Sequence, residues 1–396
     1  MMKKDPIVIE EIGYIERGNL IDIACKVNGT VLPYEISSDY TRGLLPVHPE
    51  FAIMACLPKA MMDGRDIYLS SLVDPVFLSN MEHYQRRMMA LPEDTADEWV
   101  GVVPNLIYPQ GYDSFVRRYK GLLHPVQIHA PMSQPLGPND KYRAGTFYSG
   151  GVDSVYTLLG IQELTDIIHI ENMNYPNTEA SLRLLKLLRP NLRLHRVQAA
   201  DFYHRRDSEH WIFFSHGSFL ASAGLLFSEY LTSLFTSGTD RGPGLDMGSG
   251  HDIDYLWSSS RMRFFSYGQV PRFKKIEFFG NHPQADIILR YLQVCSDLPK
   301  RGDRTNCSRC WKCLYTMLLI DANGLREKAT AFDFTHFVED FKNYPLINDY
   351  SILYNMPMVI EGYRKMGNSE MLGICLNYVE KARSNLRKLE KYGYAA

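Results

Sequence analysis

The sequence predicts an α/β protein: a doubly wound parallel sheet, preceded by a strand-rich α+β segment and followed by a helical, cysteine-bearing C-terminal part. Three observations predict it. From residue 146 short β-prone runs alternate with helical patterns, as in a parallel sheet covered on both faces. Before residue 130 the chain looks strand-rich, with a hairpin signal at Asn28-Gly29, where both residues tolerate positive φ. After residue 310 the chain turns helical, directly behind a cluster of cysteines.

In chain order, "LIDIACKVNGTVLPYEI" reads as two strands, "FAIMACLPKAMM" as a helix, "DIYLSSLV" as a strand, "SNMEHYQRRMMALP" as a helix and "WVGVVPNLIYP" as an extended piece. No residue pattern here carries recognisable chemistry. The run 131–145, rich in Pro and Gly, reads as a linker between a 1–130 domain and a 146–294 domain. Strand Thr146-Phe147-Tyr148 is followed by a helix over 153–162, strand "DIIHIE" (166–171), helix "NTEASLRLLKLL" and strand "LRLHRVQA" (192–199). A long helix over about 209–232 aligns Phe219, Ala223, Leu226, Tyr230 and Leu234, and "LFTSG" and "KKIEFFG" read as further short strands. Residues 295–396 form the last part, a cysteine site with helices.

Composition excludes little but points one way. The 396 residues carry 43 Lys+Arg against 45 Asp+Glu, a net charge of −2, which offers no general attraction to nucleic acid. "MMKKDPIVIEE" lacks the apolar core of a signal peptide, and "FLASAGLLFSEYLTSLF" carries Glu229 and several serines, a poor membrane span. A cytoplasmic protein with no membrane contact is expected.

The richest stretch is Ser149-Gly150-Gly151-Val152-Asp153-Ser154, between strand and helix. The glycines allow positive φ and close backbone approach, the serines supply hydroxyls, and the helix start supplies N–H groups and a positive dipole end. Together these suit an anion such as pyrophosphate. Asp153 repels bare phosphate, so its presence suggests a bridging Mg²⁺. Neither G-x-x-x-x-G-K-[ST] nor a properly placed G-x-G-x-x-G occurs. The second chemical pattern is Cys295, an eleven-residue gap, then Cys307-x₂-Cys310-x₂-Cys313. Four thiolates at such spacing close a tetrahedral structural zinc site, although the same spacing also suits a cubane iron–sulfur cluster. Cys25, Cys56 and Cys375 stand alone, as buried apolar residues do.

The hexapeptide is similar to the SGGxDS loop of the PP-loop ATP pyrophosphatase superfamily. With the cysteine cluster about 140 residues further on, residues 146–325 resemble the 7-cyano-7-deazaguanine synthase branch. The resemblance implies a HUP-like fold, ATP cleaved between its α and β phosphates, and adenylation of a carboxylate or amide oxygen. Ammonia or an amine then displaces AMP. It also implies ATP, Mg²⁺ and Zn²⁺ as ligands, with Asp153 and Ser154 at the reaction. Tyr148, Ser149, Gly150, Gly151, Asn172, Gly238, Asp240 and Lys275 would line the nucleotide, and Cys295, Cys307, Cys310 and Cys313 would hold the metal. Asn172 to Tyr175 would lie near adenine and ribose. Arg272 and Lys275 are candidates for phosphate contact, although solvated charge is the default for both, and His216 is a weaker acid/base candidate. Relatives fused to extra domains occur in bacterial antiviral defence operons, which leaves the acceptor open between a small molecule and a protein. A tRNA thiolase and a non-catalytic ATP-binding scaffold are the alternatives, and a homodimer is left open. In three respects this chain departs from the branch: Val152 stands for its usual Leu, the gap after Cys295 is longer, and "KCLYTM" replaces an arginine-bearing helix.

Overall fold

The computed structural model describes residues 4–41, 43–99, 121–135, 137, 142–173, 178–200, 215–239, 248–295, 305–343 and 350–391. Ten strands form one sheet in the order β10-β9-β6-β7-β8-β3-β2-β1-β4-β5. The N-terminal strands β1 (Ile7–Arg17), β2 (Leu20–Val27) and β3 (Thr30–Ser38) form an antiparallel meander. In β2 and β3 every second residue is buried, so one face is apolar. The β2–β3 turn places Asn28 and Gly29 at φ 46° and 77°, the paired positive values that a two-residue hairpin needs. Helix α1 (Glu50–Asp63), β4 (Ile67–Leu69), α2 (Pro75–Trp99) and β5 (Ile128–His129) follow, with β4 and β5 parallel to β1. The extended piece expected from residue 99 onward falls almost wholly outside the described residues.

Strands β6 (Ala144–Phe147), β7 (Leu164–Ile170), β8 (Arg193–Gln198), β9 (Ser233–Ser237) and β10 (Arg263–Tyr267) are all parallel. The expected linker separates β5 from β6 along the chain, yet the sheet runs across it, because β3 pairs antiparallel with β8. Alternation along the strands sends Phe147, Ile168, Val197 and Leu234 into a core shared with α1, α2 and α5 (His216–Leu225). Ala144 and Ile167 face the opposite way. They pack with α3 (Val152–Gly160), α4 (Thr178–Leu188) and the helices that follow β10. Those helices are α7 (Arg272–Asn281), α8 (Ala285–Tyr291), α9 (Trp311–Ala322), α10 (Phe337–Asn343), α11 (Tyr350–Met366) and α12 (Ser369–Lys391), after a one-turn α6 (His251–Asp254). Both faces are therefore covered, as the α/β reading expects. No helix among the described residues is long and apolar enough to cross a membrane.

Two elements differ from expectation. "KKIEFFG" is helical, inside α7, because Phe273, Ile276 and Phe279 recur at helical spacing and all bury; the strand is the preceding "RFFSY". The long helix ends at Leu225, and residues 226–230 turn toward β9. Leu234 therefore belongs to a strand, although Phe219, Ala223, Leu226 and Tyr230 are buried as the helical pattern requires.

A buried polar network ties the meander to the parallel strands. Asp166 on β7 accepts from both Nε and Nη2 of Arg193 at 2.9 and 2.8 Å, and from Thr165 Oγ1 at 2.6 Å. His195 Nε2 lies 2.8 Å from Asp166 Oδ1, and His195 Nδ1 lies 2.8 Å from Ser38 Oγ on β3. Burial alone raises the Asp166 pKa, but the hydrogen bonds from His195, Arg193 and Thr165 outweigh it and hold the pKa at about 2, against an ordinary 3.8. A depressed carboxyl stabilises the fold fully above its unfolded pKa and loses that contribution as pH falls through the folded value. Stability is therefore expected to fall by about 2 kcal/mol between roughly pH 4 and pH 2 on account of this group. Urea unfolding midpoints across that range should show the loss in the wild type and a flatter profile in Asp166→Asn.

Candidate functional site

The topology marks one place for a ligand. Strand order runs outward from β6 through β7 to β8, then returns to β9 on the other side of β6. The connecting helices change face there: α3 and α4 pack on one side of the sheet and α5 on the other. In open α/β sheets the crevice beyond the carboxyl ends of the strands at such a reversal is where ligands bind. The loop Tyr148–Ser154 leaves β6 at this point, and Gly238 leaves β9 beside it.

The loop is built by its small residues. Gly150 sits at φ +78°, and a Cβ there would lie 2.5 Å from the Cβ of Ser181 on α4. Gly151 is the N-cap of α3. The Ser149 and Ser154 hydroxyls lie 3.2 Å apart, Ser149 N–H donates to Ser154 Oγ, and Ser154 Oγ–H donates to the Gly151 carbonyl. Gly151 N–H makes only a long 3.4 Å bond to Ser149 Oγ. Among the described residues, the N–H groups of Gly150, Val152 and Asp153 make no hydrogen bond within the protein. Donors thus remain at a helix start, where an anion is favoured. Gly150→Ala is expected to cost about 1–3 kcal/mol, because left-handed φ and the Ser181 clash act together. Thermal unfolding of Gly150→Ala, alone and with Ser181→Gly, would separate the two causes, with only the clash relieved in the double variant.

Asp153 faces two cations. Lys275 Nζ lies 2.6 Å from Asp153 Oδ1 and 2.6 Å from the Gly238 carbonyl oxygen. Arg272 Nη2 lies 2.7 Å from Asp153 Oδ2. Burial pushes the Asp153 pKa upward, but Arg272 and Lys275 overcome it and hold the carboxyl well below the usual range. The Lys275 side chain is fully buried, against its expected solvated role, and its ammonium lies 5.6 Å from the centre of the Tyr156 ring. Both cations ride on α7, which contains the 274–280 stretch that the sequence suggests as a strand. The start of α7 is held by Asn355 of α11, whose Oδ1 accepts from Phe273 N–H at 2.8 Å and whose Nδ2 donates to Tyr315 OH. Lys312, in the first turn of α9, lies close enough for Arg272 and Asp153 to act on it, and burial together with Arg272 pulls its pKa down.

The other expected site residues divide. Tyr148 is buried and gives its hydroxyl to the Ser181 carbonyl, so it braces the loop. Asn172 lies at the end of β7, but its amide is engaged at both ends by the Ala199 backbone, which ties β7 to β8. His216 is the first residue of α5. Residues 174–177 and Asp240 lie outside the described residues.

Cys295, Cys307, Cys310 and Cys313 are all buried, with their four sulfurs within 4.8 Å of one another. A tetrahedral ion with bonds of about 2.3 Å places sulfurs about 3.8 Å apart. The Cys307–Cys313 and Cys295–Cys310 pairs measure 3.8 and 3.9 Å. Cys310 N–H points at Cys307 Sγ at 3.2 Å, and Ser308 turns at φ 60° between them. The group can hold a metal ion such as zinc. Asn306 extends its reach: its Oδ1 accepts from Val294 and Cys295 N–H, while its Nδ2 donates to Leu292 and Ala331 carbonyls. The segment so fixed delivers Gln293 N–H to the Gly150 carbonyl at 3.1 Å. The cysteine knuckle and the loop are thereby joined.

No family model, curated protein or solved structure matches the chain. The function rests on the site itself.

Sequence reasoning missed Gln293, Asn306, Asn355 and Lys312. None belongs to a pattern readable in one dimension, except that Asn306 directly precedes a cysteine and Lys312 lies between two.

Proposed function

We propose that the protein is an ATP-dependent ligase or nitrile synthase on a HUP-like, PP-loop fold. It adenylates a carboxylate or amide oxygen, releases pyrophosphate and lets ammonia or an amine displace AMP. The observation that carries this reading is the juxtaposition of the Gly150–Ser154 loop with Arg272 and Lys275 at the sheet's reversal. The loop's donors would hold the β and γ phosphates. Lys275 and Arg272, preorganised by Asp153 in a largely dry site, would meet the charge that grows on the leaving pyrophosphate, an effect worth several kcal/mol. Asp153 offers no ready shell for Mg²⁺, because both of its oxygens are already taken by cations. Its role here is to aim Lys275 and Arg272. The acceptor is a small carboxylate or amide, or a protein.

Zinc is the metal that best suits the cysteine knuckle. Each cysteine of a cubane binds a different iron, which spreads the sulfurs well beyond the separations seen. All seven cysteines are buried, three in the packed cores and four in the knuckle, which leaves no accessible thiol for a thiolase. The test is pyrophosphate release from ATP with a panel of carboxylates and amides, with and without ammonium, for wild type and Asp153→Ala. Acceptor-dependent release that Asp153→Ala lacks is expected. Binding of ATP with no release under any condition would establish a scaffold instead.

A further inference from the structure

A second polar cavity lies at the other end of the sheet. It encloses about 200 Å³ between the start of α1, the start of α2 and the turns that lead into β9 and β10. At about 30 Å³ per water, such a space holds about six non-hydrogen atoms. Ser228 and Ser259 line it ahead of β9 and β10, whereas Gly238 and the anion loop follow β9 and β6. Five residues of β9 at about 3.3 Å each put roughly 17 Å between the two places.

The lining leaves hydrogen-bonding capacity unused. Glu50 is 4 % exposed; its Oε1 accepts from Asp74 N–H at 2.8 Å, while its Oε2 has no partner. Ser228, also 4 % exposed, has an unpartnered hydroxyl on the same cavity. Asp74 caps α2 through Phe77 N–H and accepts from Ser260, so it brings charge without a cation. Arg261 and His48 also line the cavity, and both bind Glu229. Glu50 Oε2 is left without a donor, and a buried carboxyl oxygen in that position is costly. Burial pushes the Glu50 pKa up, against backbone hydrogen bonds and His48, which pull it down. A metal ion is a poor occupant. Among the described residues the only His, Cys, Asp or Glu ligand atoms that converge on an ion position are those of the cysteine knuckle.

We propose that this cavity binds the primary ammonium group of a small amine, with Glu50 Oε2 and Ser228 Oγ as its acceptors. The inference goes beyond the ATP-dependent reading, since the cavity is too far from the loop for its occupant to be the attacking nitrogen.

The experiment is calorimetric titration of the full chain, without ATP and at constant ionic strength, with methylammonium, ethanolamine, tetramethylammonium and Mg²⁺. Saturable binding of the two primary amines is expected, and none of tetramethylammonium, which has no N–H. Glu50→Gln should weaken binding by about tenfold or more, as loss of a charged hydrogen-bond partner does. Ser228→Ala should weaken it severalfold and serves if Glu50→Gln does not fold. Asp153→Ala should bind as wild type does, which separates this site from the ATP site. Absence of saturable binding, equal binding by both cavity variants, or Mg²⁺ competing as strongly as the amines would overturn the proposal.

Discussion

Lys275→Met is expected to lower pyrophosphate release about 10²–10³-fold, the usual cost of losing one preorganised donor to a developing anion. Its effect on folding should be modest, because Asp153 keeps Arg272 at 2.7 Å. Asp153→Asn should behave in the opposite sense. It removes the negative charge beside the fully buried Lys275 ammonium and leaves it with neutral oxygens, the Gly238 carbonyl among them. Breaking a buried pair from one side costs about 3–5 kcal/mol, since the surviving charge is stranded. The double variant Asp153→Asn/Lys275→Met removes both charges and should regain most of that stability while remaining inactive. Urea denaturation of the four proteins gives the coupling directly. If Asp153→Asn proved as stable as wild type, Lys275 would not be buried as a charge, and the electrostatic account of the site would fail. Pyrophosphate release that survives Lys275→Met would remove the same group from the mechanism.

The second large effect is expected at the cysteine knuckle. One zinc per chain in a colourless protein is the predicted metal content, read by elemental analysis. Structural zinc supplies on the order of 10 kcal/mol to local folding, so Cys307→Ser or strong chelation should unfold the chain around residues 292–295 and 305–322. Activity should fall with it, although no cysteine lies among the proposed phosphate contacts. The coupling is mechanical. The knuckle and Asn306 fix the backbone that gives Gln293 N–H to Gly150, and α9, which begins at Trp311, carries Lys312 and Tyr315 toward Arg272. Metal loss that left pyrophosphate release unchanged would break this link. A brown protein containing sulfide would replace zinc by an iron–sulfur cluster.

Much of the architecture is legible without coordinates because its signals are local. The Asn28-Gly29 hairpin, the alternating burial of β2 and β3, the helix behind Gly151 and the cysteine spacing each depend on a few neighbouring residues. "KKIEFFG" shows where local reading fails. Its aromatic and β-branched residues favour a strand, and only packing against α3, α9 and α11 rewards the helical face of Phe273, Ile276 and Phe279. Arg272 and Lys275 are legible as candidates for phosphate contact, but with solvation as the default, and only the packing of α7 buries Lys275 against Asp153.

The sequence by itself determined the two chemical nuclei, a small-residue turn ahead of a helix and four clustered thiols, because each is written in consecutive or closely spaced residues. Tertiary structure alone decided that they touch through Gln293, that Lys275 is sealed against Asp153, and that the N-terminal strands join the sheet through β3 and β8. It also decided that Glu50 and Ser228, 178 residues apart, face one cavity. The reason is physical: charge burial and partner choice depend on what packs around a side chain, and that is set by chain segments brought together only on folding.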